Sequence, residues 1–235
     1  MTNVVYEMPY HNFAAVKQKV QGLQAIDYFF AKDMLAALSQ VQITDHNTDE
    51  QNTNDQNTED QGTKSSSNHN EVISHVLLAL SESLREGHSC LPLAELANTQ
   101  WGYANDQFGQ RSHEGIMFPN LEALTQAINT LLLTPSHNKP IVFHQGKLYL
   151  RRYYQFELEL SETISTRLAT GSTFNNDDIA ACIEALFPEN ANDEDELDWQ
   201  KIAVANSLNK YFSVIAGGPG TGKTYTVTKL LAALV

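Results

Sequence analysis

The residues 217–224 constrain this 235-residue chain more than any other part of its sequence. They read Gly-Gly-Pro-Gly-Thr-Gly-Lys-Thr and match G-x-x-x-x-G-K-[ST], the pattern of a phosphate-binding loop. A short apolar run at 211–216 precedes them and predicts a buried strand, and an apolar helical run at 225–235 follows. This order of strand, loop and helix is the context in which the pattern indicates a nucleotide site.

The loop offers the groups that a nucleoside triphosphate and Mg²⁺ require. Its glycines let consecutive backbone N–H groups point at a polyphosphate, and the N-terminus of the following helix adds its dipole. Lys223 is predicted to contact the β- and γ-phosphates, and the Thr224 hydroxyl to bind the Mg²⁺ that bridges them. The candidate binding residues are Gly217, Gly218, Pro219, Gly220, Thr221, Gly222, Lys223 and Thr224. Lys223 and Thr224 are the candidate catalytic residues, and Thr224 is the candidate metal ligand.

Charge is distributed unevenly along the chain. The net charge is −13, and residues 42–70 and 189–198 hold all but two of the excess negative charges. The remaining sequence is nearly neutral, and no stretch has the basic character of a surface that binds duplex DNA. Apolar residues make up 42% of the chain, enough to bury a sizeable core.

Two polar segments divide the chain. Residues 42–70 contain almost no apolar side chains, which predicts a disordered insertion, with a regulatory tail that binds a partner as the alternative. Residues 188–197 form an acidic linker and give the best domain boundary. We therefore predict a helical domain over 1–187, the linker, and the start of a nucleotide-binding domain over 198–235.

The fold class that the pattern predicts is mainly α with one β-hairpin, followed by the first strand, phosphate-binding loop and helix of an α/β domain. The hairpin lies at 141–150, around the turn residues Gln145 and Gly146. Before the hairpin, helices are predicted at 10–39 with a break near Gly22, at 70–86, from near Pro92 through Ala97, and at 120–133 with Asn120 as cap. After the hairpin, helices are predicted in a segment ending at Gly171, at 176–186 with Asn176 or Asp177 as cap, and at 199–208 with Asp198 as cap.

Cysteine usage and the N-terminus favour a cytoplasmic protein. Cys90 and Cys182 make no disulfide framework and are interpreted as reduced thiols. No apolar run is long enough to span a membrane, and the first residues lack the features of a secretory signal. His88 and Cys90 have no further ligands at zinc spacing, so structural roles are favoured for both.

The loop sequence resembles motif I of superfamily 1 helicases. The upstream segment Asp-Trp-Gln-Lys-Ile-Ala at 198–203 resembles their Q motif, in which a glutamine reads the edge of adenine. Gln200 is the corresponding residue and becomes a candidate cofactor-binding residue. On spacing alone, an exposed helix residue is the competing interpretation of Gln200.

The resemblance extends over most of the chain to the RecD family, the alpha subunits of exodeoxyribonuclease V. The matching stretches are 87–93, 147–150, 186–188, 199–201, 214–224 and 230–234. The polar tract 42–70 departs from the family pattern. The resemblance implies a RecA-like motor domain, ATP and Mg²⁺ as cofactors, and a helicase that moves 5′ to 3′ on single-stranded DNA. It further implies a complex with RecB and RecC that acts in double-strand break repair, in which the N-terminal domain docks on RecC while DNA runs over the motor domains.

The sequence stops at Val235, inside the helix predicted to follow the loop. The acidic Mg²⁺ ligand, water-activating group and arginine finger of such a motor are missing, so we expect an N-terminal fragment with negligible ATPase activity. Without partner strands, residues 210–235 are expected to be disordered or packed non-natively against a neighbouring chain. Two alternatives stay open: an unrelated P-loop NTPase, such as a clamp-loader-like ATPase or nucleotide kinase, and a protein-interaction module without activity.

Overall fold

The computed structural model describes residues 5–45, 62–171, 174–188 and 197–234. It is mainly helical with small sheets, and it consists of two compact units, Met1–Phe156 and Glu157–Val235. The helices are α1 (Phe13–Lys19), α2 (Ala25–Asp45), α3 (Gly62–Arg85), α4 (Leu93–Leu96), α5 (Leu121–Asn129), α6 (Arg151–Ala169), α7 (Asn176–Leu186), α8 (Trp199–Leu208) and α9 (Lys223–Ala233). The strands are β1 (Cys90–Pro92), β2 (Gln100–Trp101), β3 (Ala104–Asn105), β4 (Arg111–His113), β5 (Ile116–Met117), β6 (Ile141–His144) and β7 (Lys147–Leu150).

The first unit is built on the contact between α2 and α3. Apolar residues three and four positions apart form one face on each helix, and these faces pack together. The predicted break between α1 and α2 is confirmed: α1 ends at Lys19, and Gly22 takes a left-handed φ of +88° before α2 begins. The most deeply buried apolar side chains of the pair are Ala31, Leu35, Leu38, Ile73, Val76, Leu77, Leu78 and Leu80.

A buried carboxylate joins the start of α2 to the end of α3. The Asp27 side chain is fully buried and accepts hydrogen bonds from Ser81 Oγ (2.8 Å) and from Arg85 Nη2 (3.2 Å). It also accepts the backbone N–H of Gln24 at 2.8 Å, which closes the first turn of α2. Asp27 thus bonds to the residue before α2 and to two residues of α3, so it links the start of α2 to α3.

A second polar contact in the first unit joins the segment before α1 to α3. The Tyr10 hydroxyl lies 2.8 Å from His75 Nε2, and only 5% of His75 is exposed. Burial, with a smaller effect from Lys19, lowers the pKa of His75 to about 4. Burial, with a smaller effect from Glu71, raises the pKa of Tyr10 to about 12. At neutral pH the pair therefore consists of a protonated hydroxyl and a neutral imidazole, and the ring tautomer determines which of the two donates the hydrogen bond.

The predicted hairpin is confirmed, but it belongs to a larger sheet. Strands β6 and β7 pair from Ile141↔Leu150 to His144↔Lys147, and Gln145 and Gly146 between them both have positive φ. These are the backbone angles that a two-residue hairpin turn requires. Strand β1 adds to β7 in antiparallel register, which gives the order β1-β7-β6. The pairing of β1 was not predicted, because it joins segments more than fifty residues apart.

Two further strand pairs correct the prediction of a single hairpin. Strand β2 pairs with β5 and β3 pairs with β4, each over two or three residues. Segments this short show no alternating pattern in sequence. Helix α5 is also shorter than predicted: Asn120 caps it as expected, but it ends at Asn129, and Leu132 takes a left-handed φ of +50°. Leu121 and Leu132, at the two ends of the predicted helix, are 43% and 51% exposed.

The second unit contains the C-terminal part of α6 together with α7, α8 and α9. Ile183, Phe187, Val204 and Leu208 form its buried apolar cluster, against which side chains of α9 pack. Helix α8 begins and ends as predicted, with the Asp198 side chain accepting the N–H groups of two residues in its first turn. Helix α7 has Asn175 as its cap, one residue earlier than predicted.

Two expectations for the C-terminal segment are corrected. Residues 211–216 form no strand within the described ranges, because a parallel strand needs neighbours to pair with and none is present. Residues 210–235 were expected to be disordered or packed against a neighbouring chain, but 223–233 form α9, which packs on α7 and α8 of its own chain. Leu230 and Ala233 make this contact.

The predicted domain limits differ from the compact units. The unit boundary falls between Phe156 and Glu157, within α6, and α7 shares its core with α8 and α9 rather than with the helices before it. Most of the acidic linker, 189–196, lies outside the described residues. Helix α2 extends into the polar tract 42–70 as far as Asp45, and α3 begins within it at Gly62. Residues 46–61 lie outside the described ranges, so their disorder stays a prediction.

Cys90 and Cys182 are both free thiols, as predicted. Among the described helices, none combines the length and the apolar composition needed to cross a bilayer.

Removal of the Asp27 carboxylate tests its role in the first unit. We predict that Asp27→Ala lowers the free energy of unfolding by about 2 kcal/mol, because the buried Ser81 hydroxyl loses its Asp27 acceptor and Arg85 keeps only the Gly22 carbonyl and Glu82 as partners. Asp33→Ala removes an exposed carboxylate from the same helix and serves as the matched control. Urea denaturation measures both variants, and equal losses in the two would contradict the assignment.

Acid titration tests the buried state of His75. Its folded pKa of about 4 lies below the unfolded value of 6.5, so the unfolded chain binds the extra proton and stability falls as the pH drops from 6.5 to 4. We expect His75→Gln, which retains an acceptor for Tyr10, to lose about 2 kcal/mol less than the wild type over this range. His88→Gln, at an exposed position, is the control, and the free energy of unfolding is measured at each pH. Parallel pH curves for wild type and His75→Gln would show that His75 is not buried.

Candidate nucleotide-binding site

The predicted phosphate-binding loop ends at the N-terminus of α9. Gly222 is the N-cap residue, and no side chain caps this helix end. Among the described residues, the structure gives no acceptor to the N–H groups of Lys223, Thr224 and Tyr225, the first three residues of α9. Uncapped N–H groups at a helix N-terminus carry partial positive charge, and together they favour an anion.

Two glycines of the loop have backbone angles that other residues rarely adopt. Gly220 and Gly222 have φ of +79° and +76°. A third glycine is required for space, since a Cβ on Gly217 would lie 2.6 Å from Thr221 Oγ1. The glycines of the motif therefore allow the backbone to turn tightly, as the sequence pattern predicts.

The Lys223 ammonium lies over the loop. Its Nζ donates to the carbonyl oxygens of Gly217 (2.6 Å) and Gly218 (2.5 Å). The Thr221 hydroxyl donates to the Gly218 carbonyl at 2.9 Å. Thr224 is exposed, and its side chain has no hydrogen-bond partner among the described residues. The ammonium and the two hydroxyl-bearing residues thus lie on one short stretch of backbone, together with the uncapped N–H groups.

The structure brings Gln200 to the loop. The Asp198 cap starts α8 so that Gln200 lies in its first turn, and Gln200 Nε2 lies 3.5 Å from the carbonyl oxygen of Thr221. A Cβ on Gly222 would lie only 2.2 Å from the same Nε2 atom, so the amide packs directly on the loop. Gln200 thus lies at the loop, and its contact with adenine stays a prediction.

Three helices determine where the loop lies. Leu230 and Ala233 of α9 pack on the cluster formed by Ile183 and Phe187 of α7 and by Val204 and Leu208 of α8. Thr226 is buried, and its backbone N–H donates to the Gly222 carbonyl at 3.0 Å, which links the loop to the helix. The loop and Gln200 are therefore positioned by one apolar core.

One contact of α9 was not predicted from the sequence. The Lys229 ammonium donates to the Leu186 carbonyl at 2.9 Å, and it lies 5.6 Å and 5.2 Å from the ring centres of Phe187 and Tyr225. The sequence indicates only one part of this contact: Tyr225 and Lys229 are four residues apart and therefore lie on the same helix face. Leu186 and Phe187 are remote in sequence, and their proximity depends on the fold.

The residues present fit a nucleoside triphosphate with Mg²⁺. Amide N–H groups and an ammonium suit phosphate oxygens, and a threonine hydroxyl is an oxygen ligand of the kind that Mg²⁺ accepts. Among the described residues, no cluster of three or more histidine, cysteine, aspartate or glutamate side chains is placed to hold a metal ion. The motif predicts Thr224 as the Mg²⁺ ligand, and its exposed hydroxyl is compatible with that prediction.

Comparison with known proteins relates the sequence of this chain to a protein family. The sequence profile described as RecBCD enzyme subunit RecD, N-terminal domain, matches residues 19–149. The curated relatives include the RecBCD enzyme subunit RecD of Haemophilus influenzae, 43% identical over 97 residues, which is 40% of this chain and 15% of that protein. The same subunit of Buchnera aphidicola from Acyrthosiphon pisum is 27% identical over 174 residues, 71% of this chain and 27% of that protein.

A more distant relative is the RecBCD enzyme subunit RecD of Mycobacterium tuberculosis, 26% identical over 166 residues, 69% of this chain and 25% of that protein. The chain therefore spans only about a quarter or less of the length of these curated relatives. The profile match lies within the first compact unit, and the loop lies in the second.

Substitution of the loop glycines tests the contact with Gln200. Gly222→Ala and Gly220→Ala place a Cβ at similar positive φ, so we expect each to cost about 1 kcal/mol of unfolding free energy. Only the first of these Cβ atoms meets the Gln200 amide, since the second has open space around it. We predict that Gly222→Ala alone shifts the side-chain amide resonance of Gln200 in an NMR spectrum. The same Gln200 shift in both variants, or in neither, would contradict the contact.

Proposed function

Since this chain belongs to the RecD family of RecBCD enzyme subunits, we propose that it is the N-terminal part of an ATP-dependent DNA helicase subunit. The parent protein would move 5′ to 3′ on single-stranded DNA within a complex with RecB and RecC, and it would act in double-strand break repair. The observation that carries the proposal is the loop 217–224 at the uncapped N-terminus of α9, with Gln200 packed against it. The comparisons support the family, and the loop geometry supports nucleotide binding.

In this proposal each residue of the site has a distinct task. The N–H groups at the start of α9 would bind the phosphates, and the Lys223 ammonium, which now donates to the carbonyls of Gly217 and Gly218, would hold phosphate oxygens. The Thr224 hydroxyl would bind Mg²⁺, and Gln200, which lies against the loop, would contact the adenine edge. ATP with Mg²⁺ would supply the phosphoryl group whose transfer drives movement. These residues bind and orient the nucleotide, and they contain no group that activates water.

The segment before the loop is consistent with a place in a larger sheet. Residues 211–216 form no strand within the described ranges, and Val214 is 77% exposed. A cavity of about 560 Å³ beside it is lined by residues that include Ser207, Tyr211 and Ile215. We propose that neighbouring strands of a RecA-like motor domain pair with 211–216, since an apolar strand of this type is buried on both faces in such sheets.

The first unit has a different proposed role. The match to the RecD N-terminal domain lies wholly within it, and the chain outside the two acidic segments is nearly neutral. A neutral surface does not favour the DNA backbone, whose affinity for proteins depends on lysine and arginine. We propose that this unit docks on the RecC subunit, and that the contacts with single-stranded DNA are made by motor domains.

The loop lysine provides the test of the proposed activity. We predict that Lys223→Ala, in the full-length protein assembled with RecB and RecC, lowers ATP-dependent 5′ to 3′ unwinding about 100-fold, because the charge that stabilises the transferred phosphoryl group is lost. Unwinding is measured on DNA whose single-stranded 5′ end admits only a 5′ to 3′ motor. Co-purification of the variant with both partner subunits shows that docking is retained.

Lys210→Ala, which removes an exposed lysine of the same unit, is the matched control and should unwind at the wild-type rate. Wild-type unwinding by Lys223→Ala would contradict the nucleotide site. Failure of the unsubstituted protein to assemble with RecB and RecC would contradict the docking role. In that case, the affinity of the unsubstituted protein for ATP would test the nucleotide site separately.

A further inference from the structure

The Lys229 cluster consists of Lys229, Tyr225, Leu186 and Phe187, and it connects the loop-bearing helix α9 to the C-terminal end of α7. We propose that Lys229 is a positioning residue of the nucleotide site, which fixes the first turn of α9 by binding the end of α7. The inference rests on the proposed function, because it assumes that the loop binds ATP. Lys229 itself lies six positions after Lys223 and is not expected to touch the nucleotide.

The ammonium of Lys229 is satisfied by the end of α7. It donates to the carbonyl oxygen of Leu186, the last residue of α7, at 2.9 Å, and this bond is partly buried. The last carbonyl groups of a helix have no partner within the helix and carry the negative end of its dipole. A lysine at this position satisfies such a carbonyl and is attracted by the dipole. Here the lysine comes from a different helix, so the contact also joins the two helices.

Aromatic rings surround the same ammonium. Phe187, the C-cap residue of α7, has its ring centre 5.6 Å from Lys229 Nζ, and Tyr225 has its ring centre 5.2 Å away. The two rings lie edge to face, with centres 6.4 Å apart. A cation within about 6 Å of an aromatic ring is attracted to it, so each ring adds to the hydrogen bond.

Tyr225 connects this cluster to the phosphate-binding groups. It is the third residue of α9, and its N–H is one of the three uncapped groups at the helix N-terminus. The ring contact with Lys229 therefore restrains a residue that directly follows Lys223 and Thr224 in the first turn of α9. The apolar contacts of Leu230 and Ala233 are made further along α9, where they hold its C-terminal half. The Lys229 cluster adds a contact through Tyr225 in the half next to the loop, where Thr226 is also buried.

Amide hydrogen exchange without nucleotide tests the positioning directly. The Thr226 N–H, which donates to the Gly222 carbonyl, reports on the first turn of α9, and the Leu208 N–H reports on the apolar core. We expect Lys229→Ala in the full-length protein to speed exchange at Thr226 about tenfold, the factor that corresponds to 1.4 kcal/mol. Exchange at Leu208 should stay unchanged. Lys229→Arg, which keeps a cationic donor, should restore the slow exchange at Thr226.

Affinity for ATP with Mg²⁺, measured by calorimetry on the same variants, completes the test. We expect Lys229→Ala to bind about tenfold more weakly, and we expect Lys229→Arg and the control Lys210→Ala to bind as the wild type does. Equal acceleration of exchange at Thr226 and Leu208 would overturn the inference, because it indicates a general loss of stability. An unchanged ATP affinity in Lys229→Ala would overturn it as well. A wild-type protein that does not bind ATP would instead overturn the proposed function.

Discussion

The packing of α9 on α7 and α8 is the contact on which the candidate site depends. A phosphate-binding loop presents backbone N–H groups, and these are useful only if the helix that carries them is held in place. In this chain, Leu230 and Ala233 are held by an apolar cluster that includes Ile183 and Val204, while Lys229 binds the end of α7. The same cluster places Gln200 of α8 against the loop. One small core thus positions both the predicted phosphate-binding residues and the predicted adenine-reading residue.

The two compact units carry the observations behind two separate proposals. The first unit is organised by the α2–α3 contact and by the buried Asp27, and it carries the family match without any residue of the loop. The second unit carries the loop, and it includes α7, which precedes the acidic segment in sequence. A docking role for the first unit and a nucleotide-binding role for the second are therefore supported by different observations. Each proposal can fail without the other.

Local signals predicted a large share of the fold, and non-local contacts account for what was missed. Asp198 and Asn120 act as the predicted helix caps, and the Gln145–Gly146 turn forms the predicted hairpin, because each depends on residues within a few positions. The prediction of a strand at 211–216 was wrong for the structure of this chain, because a strand needs neighbouring strands to pair with and a local sequence pattern does not reveal them. The loop residues were found from the motif, whereas the contact between Lys229 and Leu186 joins residues 43 positions apart.

The most direct measurement is a structure of the full-length protein with Mg²⁺ and a non-hydrolysable ATP analogue. We predict that the phosphates lie against the N–H groups of Lys223 and Thr224. We also predict that the Lys223 ammonium leaves the carbonyls of Gly217 and Gly218 and binds a phosphate oxygen. Magnesium should bind the Thr224 hydroxyl. An analogue bound elsewhere, with Lys223 still donating to the loop carbonyls, would contradict the assignment of residues 217–224 as the nucleotide site.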